Sequence, residues 1–348
     1  MLIRIIAVLV FAPPLLVGLA AGLARAGWDA SFLPSAGLAF RHGVLLCIWM
    51  TALAGLERAH RQGMLYALCP LALALSGGWM IAEPFARGPF VLLLLATLLL
   101  LVSNIVGARA RSTEVSTCRI VGSAFLLVGN ALLFPDMPSH AVTSWWLGAA
   151  LFYLLGLHLE GRTAVLTSGD RLLFYALIVP TLLGALLKNY ALGSEFIDPY
   201  SVTPSMRWGG DRLLGLVMCA AAVWLFVRDS GDGWQRLCAL GGGFFLALAG
   251  GLALYTGEIL AGPLYEAIVH AFFVGFAFSL LLARFHLNSY LALSALLLLY
   301  VALLAWIVGA LSGAQPLAEG ARTAAVPCLL LLTLLGLRQQ YQAARYLH

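Results

Sequence analysis

Apolar blocks of roughly twenty residues alternate with short polar breaks along the whole chain. This is the pattern required of helices that cross about 30 Å of hydrocarbon at 1.5 Å per residue. The blocks predict spans near residues 2–24, 36–56, 64–83, 89–108, 117–136, 141–160, 171–192, 211–228, 236–256, 263–284, 288–311 and 322–340. A closed β-barrel would also satisfy the backbone in lipid, but its strands alternate every second residue, and the run VLLLLATLLLLV at 91–102 does not. The expectation is an all-α, polytopic transmembrane bundle of about twelve spans, formed as one membrane domain over residues 1–348 with no separate polar domain.

The start, MLIR followed by apolar residues and Ala24-Arg25-Ala26, has features of a secretory signal, yet its apolar stretch is nearer a full span than the usual h-region of about 7–15 residues. It is therefore read as the first span. With the amino terminus inside, Arg4, Arg58, Arg61, Arg109, Arg111, Arg119, Arg162, Arg171, Arg228, Arg236, Arg284, Arg338 and Arg345 fall on the inner side. Arg25, Arg41, Arg87, Lys188, Arg207, Arg212 and Arg322 fall on the outer side. The positive-inside bias thus places both termini in the cytoplasm. The longest connection, about 191–210, holds Glu195, Asp198, Pro199, Tyr200, Pro204 and Trp208, and is expected outside as a cap over an outward-facing site.

Composition sharpens the class. Hydrophobic residues make up 62% of the chain and charged residues 10%, against about 25% charged in ordinary soluble domains, so a water-soluble fold is excluded. The lipid bilayer is the principal partner. The net charge of +5 comes from dispersed arginines rather than a basic run, which argues against nucleic acid. The six cysteines stand singly, without CxxC spacing, and indicate neither a disulfide framework nor a thiolate metal site. There is no GxSxG, Walker A or HExxH pattern, so hydrolase and phosphate-loop chemistry lack support.

An ionisable group inside a span costs free energy and marks a functional candidate. His42 and His270 are each about six or seven residues from the outer ends of their spans, which puts both roughly 10 Å deep at one level. Asn130 and Glu266 share that leaflet, with Tyr265 and Glu258 nearer the surface. Two neutral imidazoles at one depth suit a metal ion or haem iron, and a neighbouring carboxylate can orient a ring through its other nitrogen. The plainer reading is that each histidine donates one hydrogen bond to another helix. A second polar layer at the inner ends comprises Glu57, Arg58, His158, Glu160, Arg284 and His286, either a network or separate interfacial anchors. Trp145 and Trp146 fall where an aromatic belt is expected, and the Gly241–Gly243 run suggests close helix packing.

Four stretches carry a resemblance. HGVLLCIWMTALAGLERAHRQ at 42–62 resembles the HGPLM...GFLGTLIGLERAVAL segment of a group of bacterial membrane proteins related to the NnrS family. GSAFLLVGNALLF at 122–134 resembles that group's small-residue span ending in GN, and SWWLGAALFYLLGLHLEGR at 144–162 resembles its WWLGFLVLTIAGERLELSR. LYEAIVHAFFVGFAFSLLL at 264–282 resembles its YDAALHAVFLGFVFSMIFGHAP and the HALTVGAIGTM segment of NnrS itself. The order is preserved across residues 42–286.

The resemblance implies a twelve-span protein of the bacterial cytoplasmic (inner) membrane that binds haem or copper, works in redox or nitric oxide related metabolism and has a redox protein partner. His42, Glu57, Arg58, Asn130, Glu160 and His270 fall on matching positions. Leu157 and His158 replace the group's first Glu and its Arg, and Arg284 stands where it has the histidine of GHAP. His286 lies two residues on, about 200° further round a helix, so an inner metal site is altered or absent. The expected metal ligands are His42 and His270, with Asn130 and Glu266 beside the cofactor. Two alternatives carry no cofactor: a small-solute permease, for which Pro180 is the best candidate for a helix break, and a non-catalytic assembly partner. Nothing in the sequence fixes the oligomeric state.

Overall fold

The computed structural model describes residues 52, 68–83, 87–110, 113–133, 139–160, 166–197, 204–228, 231, 233–257, 259, 262–284, 287 and 289–343. Predicted spans 1 and 2 lie outside the described residues apart from the buried Ala52. Predicted spans 3 to 12 correspond one to one to ten helices. These are α1 Leu68–Ala82, α2 Arg87–Val106, α3 Thr113–Leu133, α4 Ser139–Leu159 and α5 Ser168–Ile197. They continue as α6 Pro204–Arg228, α7 Gly233–Thr256, α8 Pro263–Leu282, α9 Tyr290–Ser312 and α10 Gln315–Ala343. Among the described residues there is no strand. Nine of these helices are long and apolar enough to cross a membrane, α1 being shorter.

Consecutive helices pack side by side, most extensively α3 with α4, α6 with α7, and α9 with α10. The non-sequential contacts place α4 at the centre, touching α3, α5, α6 and α8. Burial agrees: 94% of Val142–Leu159 is covered by protein, against 33% of α2 and 22% of Gln315–Gly336 in α10. The exposed faces of α2 and α5 carry Leu95, Leu98, Leu172 and Val179, which a bilayer solvates without penalty. Because lipid tails are as apolar as leucine, such helices associate through close packing of small residues. A Cβ on Gly250 would stand 2.7 Å from the Gly215 carbonyl oxygen, and one on Gly242 3.2 Å from Ser279 Cβ. The small-residue seam expected in α7 is thus where α6 and α8 come close.

The connection expected over 191–210 is shorter than its composition suggests, since α5 runs to Ile197 and α6 begins at Pro204. Pro204 is the first residue of its helix, where the missing N–H costs nothing. At about 1.5 Å per residue, the thirty residues of α5 exceed the hydrocarbon thickness by several turns, so polar residues continue the helix past the apolar block. Pro180 lies inside α5 without ending it. At the neighbouring Thr181 the hydroxyl donates to the Leu177 carbonyl at 2.6 Å. The helix break that a permease reading looked for at Pro180 is not there.

One irregularity stands out. Within α8 the segment Ala271–Ala277 is a π-helix, starting at the residue after His270 and fully buried. Wider turns of this kind are rare and recur at functional positions.

Candidate functional site

Contacts between helix ends define two polar clusters. One gathers the carboxyl-terminal ends of α3, α5 and α7 with the amino-terminal ends of α4, α6, α8 and α10; it contains Lys188 and is called the lysine end. The other gathers the opposite ends and contains Arg119, Glu160, Asp170 and Arg228; it is called the arginine end.

At the lysine end, His270 is held from two sides. Its Nδ1 lies 2.8 Å from the Glu266 carbonyl oxygen one turn back on α8. A carbonyl only accepts, so Nδ1 carries a proton, and in the neutral form of the ring Nε2 is the basic nitrogen. The ring meets Trp306 of α9 edge to face with centroids 4.0 Å apart. Glu266 serves twice, because its carboxylate also receives Arg322 Nη2 of α10 at 2.8 Å. The Arg322 guanidinium lies 5.3 Å from the Trp306 ring centroid, within cation–π range. Trp306 is buried and its Nε1–H has no acceptor. His42 and Glu258 lie outside the described residues.

Asn130 sits near the end of α3, where its Oδ1 accepts from Trp146 Nε1 at 3.1 Å while its Nδ2 has no partner. Trp145 and Trp146, expected in an aromatic belt, are 4% and 1% exposed. The reason is the position of α4 at the bundle centre: Gly129 leaves room for both rings, and Phe125 packs on Trp145 at 5.3 Å. Thr143 of α4 donates to Tyr265 of α8 at 3.3 Å. The central helix therefore stands between Asn130 and His270, tied to the helices of both, and no described contact joins those two residues directly.

The strongest polar feature at this end went unread in the sequence. Lys188 Nζ lies 3.2 Å from Asp211 Oδ1, and both side chains are fully buried. Each has further partners: Lys188 donates to the Ile259 carbonyl at 3.0 Å, Ser144 donates to Asp211 Oδ1 at 3.2 Å, and the Ile259 N–H donates to Asp211 Oδ2 at 2.7 Å. Glycine makes this possible. A Cβ on Gly210 would be 2.6 Å from the Gly184 carbonyl and 2.9 Å from the Lys188 nitrogen, so only bare backbone lets α5 and α6 approach there. Available signals were that Lys188, counted among the outer-side charges, is the only lysine of the chain and that Asp211 opens an apolar block.

The arginine end contains part of the expected inner layer with different partners. Glu160 pairs with Arg119 Nη2 at 2.6 Å. His158 meets Trp224 edge to face at 6.2 Å, and Trp224 Nε1 donates to Asp170 Oδ1 at 3.0 Å. Asp170 also pairs with Arg228 at 3.0 Å and caps α5 by accepting from the Thr167 N–H at 2.8 Å. Arg171 reaches Glu114 at 3.0 Å. Arg284 lies in the turn after α8, its N–H donating to the Leu281 carbonyl. Glu57, Arg58 and His286 lie outside the described residues. Among the described residues no group of three or more histidine, cysteine or acidic side chains could hold a metal ion, and Cys69, Cys118, Cys219, Cys238 and Cys328 stand outside any disulfide.

A family model described as "Domain of unknown function" (DUF8744) matches residues 4–339. No curated protein and no solved structure matches the chain.

Proposed function

The chain belongs to the DUF8744 family, and from the geometry of its lysine end we propose that it is an NnrS-like membrane protein that holds a metal ion or haem iron on His270. The observation that carries this reading is the Nδ1 contact with the Glu266 carbonyl. Metal-ligating histidines characteristically give their second ring N–H to a carbonyl or carboxylate, which fixes the tautomer and raises the basicity of the ligating nitrogen. The π-helical segment beginning at the next residue supports the same assignment. So do the buried N–H groups of Trp306 and Asn130, which lack acceptors at this end of the bundle.

The residues fit the group unevenly. His270 is suited to ligation through Nε2; the Glu266 carboxylate pairs with Arg322, and the Glu266 backbone carbonyl positions the imidazole. His42, on predicted span 2, is the second ligand in this reading. A bound metal would supply Lewis-acid or electron-transfer chemistry. The protein would stand in the bacterial cytoplasmic membrane with twelve spans and both termini inside, exchange electrons with a redox protein, and act in redox or nitric oxide related metabolism.

The test is an optical spectrum and metal analysis of the purified full-length chain, before and after supply of copper or haemin. The expected result is a Soret band or stoichiometric copper, lost in His270→Ala while the protein remains in the membrane. A wild-type chain that binds neither after supply, or a His270→Ala chain that binds as well, would sink the reading.

A further inference from the structure

Arg119 is buried to 1% exposure, and a guanidinium carries five N–H donors and no acceptor. Its side chain lies along α4 because Gly156 leaves room: a Cβ there would stand 3.3 Å from Arg119 Cγ. Nη2 reaches Glu160, the residue just past the end of α4. Nε and Nη1 have no hydrogen-bond partner. Buried donors are almost always satisfied, and leaving a charged one without an acceptor costs more than leaving a neutral one. A single carboxylate oxygen at Nη2 leaves unanswered both forks of the guanidinium, the one toward Nε and the one toward Nη1.

We propose that Arg119 holds an oxyanion, an oxygen of a phosphate or carboxylate group, on one of its open donors, Nε–H or Nη1–H, at the arginine end of the bundle. Guanidinium forks match such oxygens in geometry and in charge. The surroundings favour an anion: Arg119, Arg171, Arg228, Arg236, Arg284 and Arg338 sit at this end, against Glu114, Glu160 and Asp170 among the described residues. Glu160, 21% exposed, is the open side of the site. Neither His270 nor any metal enters the proposal.

Two sources can supply such oxygens, a soluble oxyanion or an anionic lipid headgroup, and the experiment separates them. Thermal unfolding of the purified chain is followed with inorganic phosphate or acetate against chloride at equal ionic strength, and in nanodiscs of phosphatidylglycerol against phosphatidylcholine. A soluble ligand raises the wild-type midpoint with the free anion; a headgroup raises it with phosphatidylglycerol alone. In either case Arg119→Gln abolishes the response, and Arg171→Gln leaves it in place. Glu160→Gln, which removes the competing carboxylate, lowers the half-saturating anion concentration severalfold, or increases the phosphatidylglycerol response. No response of the wild type in either arm, or an equal response in wild type and Arg119→Gln, overturns the proposal. If Arg119→Gln does not fold, Arg119→Lys and Glu160→Gln decide it, and an unchanged response in both overturns it.

Discussion

Lys188 and Asp211, from the ends of two successive helices, form an ion pair at 3.2 Å that no solvent reaches. The pair also fastens the backbone of Ile259 and the hydroxyl of Ser144, so one contact joins α4, α5, α6 and the α7–α8 connection. Removing one partner strands the other charge in a low-dielectric interior, and such losses are about 3–5 kcal/mol. Lys188→Met and Asp211→Asn are each expected to destabilise the protein by that order in denaturant titrations of the micelle-bound chain. The double variant should lose less than the sum of the two. Simple additivity would mean the charges do not interact.

Asp170 accepts from the buried Trp224 indole, the Thr167 backbone and Arg228. Arg228 is half exposed, so its charge contributes little, and the buried Trp224 N–H sets the scale. Asp170→Ala should cost about 1–3 kcal/mol by stranding that donor. Asp170→Asn, which keeps an acceptor oxygen, should cost clearly less. The check is unfolding followed by tryptophan fluorescence; equal losses would assign the effect to the charge on Arg228.

The α6–α7 crossing tolerates no side chain on Gly250. Gly250→Ala places a methyl 2.7 Å from the Gly215 carbonyl oxygen, and backbone cannot step aside as a side chain can. Overpacking of this kind costs about 1–3 kcal/mol. Gly251→Ala, with nothing within 4 Å of the added carbon, should be neutral or stabilise α7 by up to about 1 kcal/mol through helix propensity. A pair of melting curves compares them, and similar midpoints would remove the close crossing.

Orientation rests on the arginine bias alone. Reporter fusions after Arg109 and after Gln340 are expected to report cytoplasm, and one at Pro199 the opposite side. An external signal at the carboxyl terminus would reject the even number of spans.

The existence of the helices was legible in the sequence because a span needs only an unbroken apolar block, and ten of the twelve predicted blocks are helices in the described residues. Of the candidate site only the shared level was legible: His270, Asn130 and Glu266 are buried or partly buried at one end of the bundle, and the pairing of the Glu266 carboxylate with Arg322 was not. Which helix is central could not be read, since the faces toward lipid and toward protein are equally apolar. Trp145 and Trp146 therefore looked like interfacial residues until α4 was found surrounded. Nor could the pairing of charges be read. Lys188 and Asp211 are a helix–loop–helix apart, and Arg119 and Glu160 are separated by nearly two full helices. In each case the sequence determined that a charge lies near a membrane boundary, through the ends of apolar blocks. Only close packing at a glycine, against backbone at Gly210 for one pair and against the Cys118 and Arg119 side chains at Gly156 for the other, decided that the charge turns inward to a partner instead of outward to water.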